Sequence, residues 1–162
     1  MEPKTARRLD THNVLPEVRP ARAICSADSI VLTLAGEKRA GDLQSGDKVI
    51  TRDSGTAIVR AVHRDTQVTD AVLIKAGSFG HRRPPEDAII PANAQVLIRD
   101  WRAQALFGRV QATAPARRLV DGEFITLLPA WDMETVQLTF DRPHVLYVGG
   151  LELVCTQLEE RT

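Results

Sequence analysis

From Ser29 onward the chain alternates apolar and polar residues in short runs. They read SIVLTL at 29–34, DKVITR at 47–52, TAIVRAVHR at 56–64, AVLIKAG at 71–77, QVLIRD at 95–100, EFITLLPAW at 123–131, TVQLTF at 135–140 and HVLYVGGLELVC at 144–155. A period of two sends alternate side chains to one face of a pleated backbone, so each run predicts a half-buried strand. Gly, Asp and Pro punctuate the intervals, and many short strands so spaced predict an all-β domain. Helix is confined to connectors: GDLQSGD suits a one-turn helix or a pair of turns, and AQALFG and PARRLV each predict a short helix, the second opened by Pro115. The stretch GSFGHRRPPED, 77–87, is a loop, because its two prolines cannot donate to a ladder. Residues 1–23, with Pro3, Pro16 and Pro20 and no sustained period, read as a mobile arm, leaving 24–162 as the β domain.

Composition narrows the partners. Lys+Arg 21 balances Asp+Glu 21, and aromatic residues are 4 %, which argues against a polyanion surface or a base-stacking platform. The pairs Arg7-Arg8, Arg82-Arg83 and Arg117-Arg118 read as solvated surface, and nucleic acid is not an expected partner. No apolar run nears the roughly 18 residues of a membrane span, and the N-terminus lacks the apolar centre of an export signal. No membrane partner is expected, and the cytoplasm is the default location. Trp101, Phe107, Phe124 and Trp131 each sit in or beside an apolar run and read as core. Asp141-Arg142 reads as a local ion pair.

Candidate chemistry rests on two cysteines and four histidines. Cys25 and Cys155 stand near opposite ends, open to three roles: a disulfide, two buried thiols, or one working nucleophile. His63 and His144 fall in or beside strand runs, while His12 and His81 read as surface. No metal-ligand spacing links these residues, so neither metal nor cofactor is expected. The glycines and aspartates of AGDLQSGDK lack the Lys-Ser/Thr of a phosphate loop and the spaced acids of a calcium loop, and read as turns.

The order of the pieces carries a resemblance. A Cys opens the strand region, AGDLQSGDKVITRD follows, then VLIKAGSFG, QVLIRDWRAQALFG, ARRLVDG and HVLYVGGLEL. In that ordered set, from Ala23 to about Cys155, the chain resembles the Hint domains shared by hedgehog proteins and inteins, most closely their bacterial stand-alone branch. The resemblance implies a disc-like, horseshoe-shaped all-β fold whose first strand brings Cys25 to the centre. It implies that the Cys25 thiol attacks the carbonyl of Ile24, turning the Ile24–Cys25 amide into a thioester, and that a second nucleophile then releases the upstream segment. The implied substrate is the chain's own N-terminal segment.

Such chemistry needs a proton donor at the departing nitrogen, which the relatives supply as the histidine of a Thr/Ser-x-x-His block. Here that block reads PANAQVL, with Pro91 at the hydroxyl position and Ala94 at the histidine position. Alanine has nothing to donate, so slow or absent cleavage is expected. His63, where hedgehog relatives carry an aspartate, and His144, next to where bacterial relatives carry a histidine, are the candidate substitutes. The chain does not close on the asparagine–nucleophile pair of a splicing intein, so ligation is not expected. Two further readings stay open: a non-catalytic module that binds a protein partner, and a redox pair formed by Cys25 and Cys155.

Overall fold

The structure, a computed structural model, describes residues 19–157. Thirteen strands are defined there: β1 Ala21–Ser26, β2 Ile30–Thr33, β3 Gly36–Arg39, β4 Lys48–Thr51, β5 Gly55–Ile58, β6 Ala61–Ile74, β7 Ala88–Pro91, β8 Gln95–Ile98, β9 Ala112–Pro115, β10 Ile125–Phe140, β11 Val145–Val148, β12 Leu151–Val154 and β13 Thr156–Gln157. One α-helix, α1, spans Trp101–Phe107, and short 3-10 turns cover Ala40–Asp42 and Ala116–Leu119. The expected all-β class is what the chain adopts.

Two antiparallel sheets contain these strands. The first runs β13-β1-β10-β6-β7; the second runs β3-β2-β4-β11-β12-β8-β9, with β5 added on β4. The long strands β6 and β10 pair over most of their length and form the spine of the first sheet. The period of two does the work predicted for it: Ala21, Ala23 and Cys25 turn inward from β1, as Val49 and Thr51 do from β4.

Differences from the sequence reading have local causes. TAIVRAVHR is broken between Ile58 and Ala61, whereas EFITLLPAW and TVQLTF join in β10: Asp132, Met133 and Glu134 pair with Val68, Gln67 and Thr66, and a register shift between Leu128 and Trp131 absorbs Pro129 without ending the ladder. Four-residue strands such as β3 (GEKR), β7 (AIIP) and β9 (ATAP) are too short to show a clear period of two. Residues 21–23 belong to β1 and pair with β10, so the strand begins inside the expected arm. Residues 1–18 of that arm, with Arg7-Arg8 and His12, lie outside the described residues. The helix starts at Trp101, two residues before AQALFG, because Asp100 accepts the Arg102 N–H at 3.1 Å as its N-cap; Gly108, at φ 68°, ends it. Trp101, Phe124 and Trp131 are exposed rather than core residues, and Asp141 pairs with Arg60 at 2.8 Å rather than with Arg142.

Two features tie the loop 77–87 to the second sheet. Buried Glu152, on β12, takes a bidentate pair from Arg99 at 2.9 and 2.7 Å, with Arg52 at 3.5 Å and Arg83 at 3.6 Å. Burial pushes the Glu152 carboxyl up, but the Arg99 hydrogen bonds and the charges of Arg99, Arg83 and Arg52 outweigh it and hold the group below its ordinary value. Beside it the β11–β12 turn passes under the loop so closely that a Cβ on Gly150 would collide with Pro84 and Pro85.

Gly150→Ala therefore combines a left-handed φ of 81° with that collision. We expect it to lower unfolding free energy by about 1–3 kcal/mol in urea titrations. Gly149→Ala, whose Cβ meets nothing nearer than Ser29 at 3.9 Å, should lose only about 1 kcal/mol.

Candidate functional site

Cys25 sits near the end of β1, 1 % exposed, with its side chain in the core. It pairs with Val136 on β10, and the bond from Ala27 N–H to the Glu134 carbonyl, 2.9 Å, fixes the phase of the ladder. Narrow pairs recur at every second residue, so Cys25–Val136 is also one: the Cys25 N–H donates to Val136, and the Ile24 carbonyl turns away from β10. It faces the side where β13 pairs only Ala21 and Arg22. The peptide link between Ile24 and Cys25 thus has its nitrogen held in a ladder and its carbonyl outside it.

The block 91–94 comes to this strand by curvature of the first sheet. β7 is separated from β1 by two strands in the sheet order, yet packs against it. Pro91 ends β7 opposite Ala71, and a turn closed by Ala94 N–H to the Pro91 carbonyl, 3.0 Å, follows. Ala92 and Ala94 are buried in one apolar cluster with Cys25 and Cys155. Their carbonyls accept from the N–H groups of Arg117 and Ala116, both at 2.9 Å. The turn is intact, and its inward side chains are methyl groups.

His63 does not reach the thiol. Ile24, Gln137 and His63 form one cross-strand row over β1, β10 and β6, while Cys25 and Val136 form the next. Paired residues share a face and adjacent rows take opposite faces, so exposed His63 stands on the far side of the sheet from Cys25. Val62 and Arg64 flank it; Arg64, on the same face as Cys25, is held by the Gly41 and Leu43 carbonyls at 2.9 and 2.7 Å.

His144 is buried but serves a different cluster. Its Nδ1 lies 2.9 Å from Ser54 Oγ and 3.6 Å from Asp53 Oδ2, and its ring meets Phe140 edge-on at 5.8 Å between centroids. Ser54 is braced by Thr51, Oγ to Oγ at 3.1 Å, and Asp53 accepts the Val145 N–H at 3.0 Å. His144 therefore pins the β4–β5 turn to the start of β11. Phe140 pairs with Ala21, four residues and about 13 Å of strand before Cys25. The sequence reading missed this cluster; its only linear trace is the TRDS at 51–54, which reads equally as turn chemistry.

The two cysteines are free thiols. Continuing the β1–β13 register by one residue sets Cys155 beside Ala23, two residues from Cys25. Such a diagonal spans about 7–8 Å between Cα atoms, beyond what a disulfide bridges without backbone movement. Burial pushes the Cys25 thiol up to about 12. Burial also raises Cys155, to about 11, against a backbone hydrogen bond at His144 and together with the charge of Asp53. Neither is a ready thiolate at neutral pH.

The profile of the Hint domain family matches residues 24–155. Among solved structures, the solution structure of a bacterial intein-like domain from Clostridium thermocellum is similar at 15 % identity, TM-score 0.57, covering 83 % of this chain and 98 % of that one. The crystal structure of the gp41-1 intein is more distant, at 13 % identity and TM-score 0.47, covering 82 % of this chain and 97 % of that one. A search of curated proteins finds no match.

A thiol with a higher pKa in the fold than in the unfolded chain keeps its proton longer when folded. Its stabilisation is complete below about pH 9 and is lost as pH rises toward about 12 for Cys25 and 11 for Cys155. Unfolding free energies from urea titrations should fall above about pH 9, by up to about 1.4 kcal/mol per pH unit for each thiol. Cys25→Ala should flatten that slope, and an equal slope in the variant would contradict the burial. Iodoacetamide should label native Cys25 slowly and the urea-unfolded chain rapidly.

Proposed function

The chain belongs to the Hint domain family, and from that membership we propose that it is an autoprocessing domain acting on its own Ile24–Cys25 bond, slowed or stopped by the alanine at position 94. The step is an N-to-S acyl shift. Cys25 Sγ, losing its proton, bonds to the Ile24 carbonyl carbon; the carbon–nitrogen bond breaks; the Cys25 nitrogen takes a proton and becomes the free amine. A second nucleophile, water or an added thiol, then takes the acyl group and frees the segment ending at Ile24.

The observation that carries this reading is the pairing of a preserved frame with a missing donor. The Pro91–Ala94 turn is closed and packed beside β1, Cys25 faces the same core, and the inward residue of the turn is a methyl. Without a donor at the departing nitrogen, the tetrahedral intermediate returns to amide faster than it proceeds. A positioned general acid is worth about a hundred- to ten-thousand-fold in rate. The Cys25 N–H is already engaged as a donor in the ladder, which leaves protonation of that nitrogen to a group from outside the strand pair.

A second reading, a non-catalytic module that keeps the fold for a protein partner, is favoured by the burial of the thiol, which holds Cys25 protonated. Mass spectrometry of the intact chain separates the two. Incubated with dithiothreitol, the protein should lose the Met1–Ile24 peptide slowly, and Cys25→Ala should abolish the loss. Ala94→His, combined with Pro91→Ser, should accelerate release at least a hundred-fold, with folding verified by near-ultraviolet circular dichroism. A folded double variant that stays whole would overturn the account of the missing acid; an unchanged wild-type mass beside a cleaving double variant would make the native chain the inert module.

A further inference from the structure

A concavity of the described residues is lined by neither Cys155 nor His144. It has a volume of about 780 Å³ and runs between β2–β3, the β11–β12 turn, β7 and the Trp131–Glu134 segment of β10. That volume is within the range of ligand sites. Although the whole chain is neutral, the lining carries seven carboxylates, from Asp28 to Glu152, and a single cation, Arg83, which is turned onto Glu152 at 3.6 Å.

The carboxylates differ in what holds them. Asp28 pairs with Arg39 at 2.6 Å, Asp87 accepts the Ala76 N–H at 2.9 Å, and Glu152 has its arginines. Glu37, Glu86 and Asp132 have no ion pair among the described residues and are exposed. Between these acids the groove shows apolar surface: Trp131 is 40 % exposed and Ile30 39 %, with Tyr147 and Leu32 beside them. Trp131 stands immediately after the β10 bulge, where Ala130 adopts a left-handed φ of 51° and its N–H donates to Asp70 at 3.2 Å. A bulge re-aims the side chain that follows it, and here that side chain is the groove's aromatic.

The walls specify what shape of ligand fits. β3 is the terminal strand of one sheet and β7 the terminal strand of the other, and both line the concavity through Glu37 and through Ala88 and Ile89. Each terminal strand has one edge without a partner in its sheet, and an open edge offers backbone N–H and C=O groups to an extended chain. Free carboxylates select positive charge, Trp131 and Ile30 select an apolar side chain between the charges, and the strand edges select a peptide backbone.

We propose that this groove binds a short extended peptide segment in which Arg or Lys alternates with apolar residues, seated against Trp131. Binding is independent of cleavage at Ile24–Cys25, and it gives the interaction reading a partner class. Ser26 and Asp28 line one end, so the peptide would lie next to the strand that carries the thiol, on a face the thiol does not occupy.

The test uses the full chain carrying Cys25→Ala, so that processing does not intrude, and Trp101→Phe, so that Trp131 is the only indole. The probe is an acetylated hexapeptide alternating arginine and leucine, with its glutamate–leucine counterpart as control. Trp131 emission should change saturably with the basic peptide, at least about ten-fold more tightly than with the acidic one, and the affinity should weaken as salt is raised. Glu86→Lys with Asp132→Lys should weaken binding by about ten-fold or more while the urea midpoint stays close to that of the parent. Equal binding of the two peptides, an unaffected double variant, or no saturable change would overturn the proposal. So would displacement of the basic peptide by calcium ions at millimolar concentration, which would make the groove a cation site.

Discussion

The molecule is organised by the packing of β7 against β1. These strands are not neighbours in the first sheet, and only the curvature of the long β6–β10 pair brings them together. That contact puts the Pro91–Ala94 turn, the Cys25 thiol and the apolar core into one volume from which water is excluded. Exclusion of water has two opposed effects on the chemistry. It prevents premature hydrolysis of an acyl intermediate, but it also raises the thiol and makes a fixed proton donor indispensable, since solvent cannot supply one. On the proposed reading a histidine at position 94 would supply that donor, and the methyl group of Ala94 does not.

Much of the fold was legible in the sequence because strands with one buried face must alternate. SIVLTL, DKVITR, QVLIRD and the hairpin from His144 to Cys155 all lie where their period places them, with small shifts at the ends. What a period does not encode is which runs fuse. The polar stretch Asp132–Glu134 separates two runs in the sequence, yet it pairs with β6 and β10 continues through it, while the bulge before it is followed by Trp131, an expected core residue that is the exposed aromatic of the acidic groove. Short strands such as β3 and β7 carry little pattern and were invisible, although they form the groove's walls.

The site was legible in part, and through the order of its motifs rather than through spacing. Cys25 and the block at Pro91 and Ala94 were singled out from that order, and the fold buries Cys25 and Ala94 in one apolar cluster. The histidines were not resolvable in the same way. His63 is separated from Cys25 by the sheet itself, a consequence of parity along two paired strands that needs the register to be known. His144 is bound to Ser54 and Asp53, ninety residues distant in sequence, and its role as a pin follows only from that long-range contact. Both cysteines are free thiols, and the β1–β13 register, continued by one residue, would set them on a diagonal of about 7–8 Å, which weighs against the redox reading.

The central claim is that the peptide link before Cys25 is held for acyl transfer in a frame that lacks only its proton donor. Carbon-13 at the Ile24 carbonyl, followed by NMR in the full chain, tests it most directly because it reports the acyl bond itself. The account predicts an amide resonance alone in the native protein and a growing thioester resonance once Ala94→His and Pro91→Ser are introduced. A thioester resonance already present in the native chain, or none in the folded double variant, would contradict it.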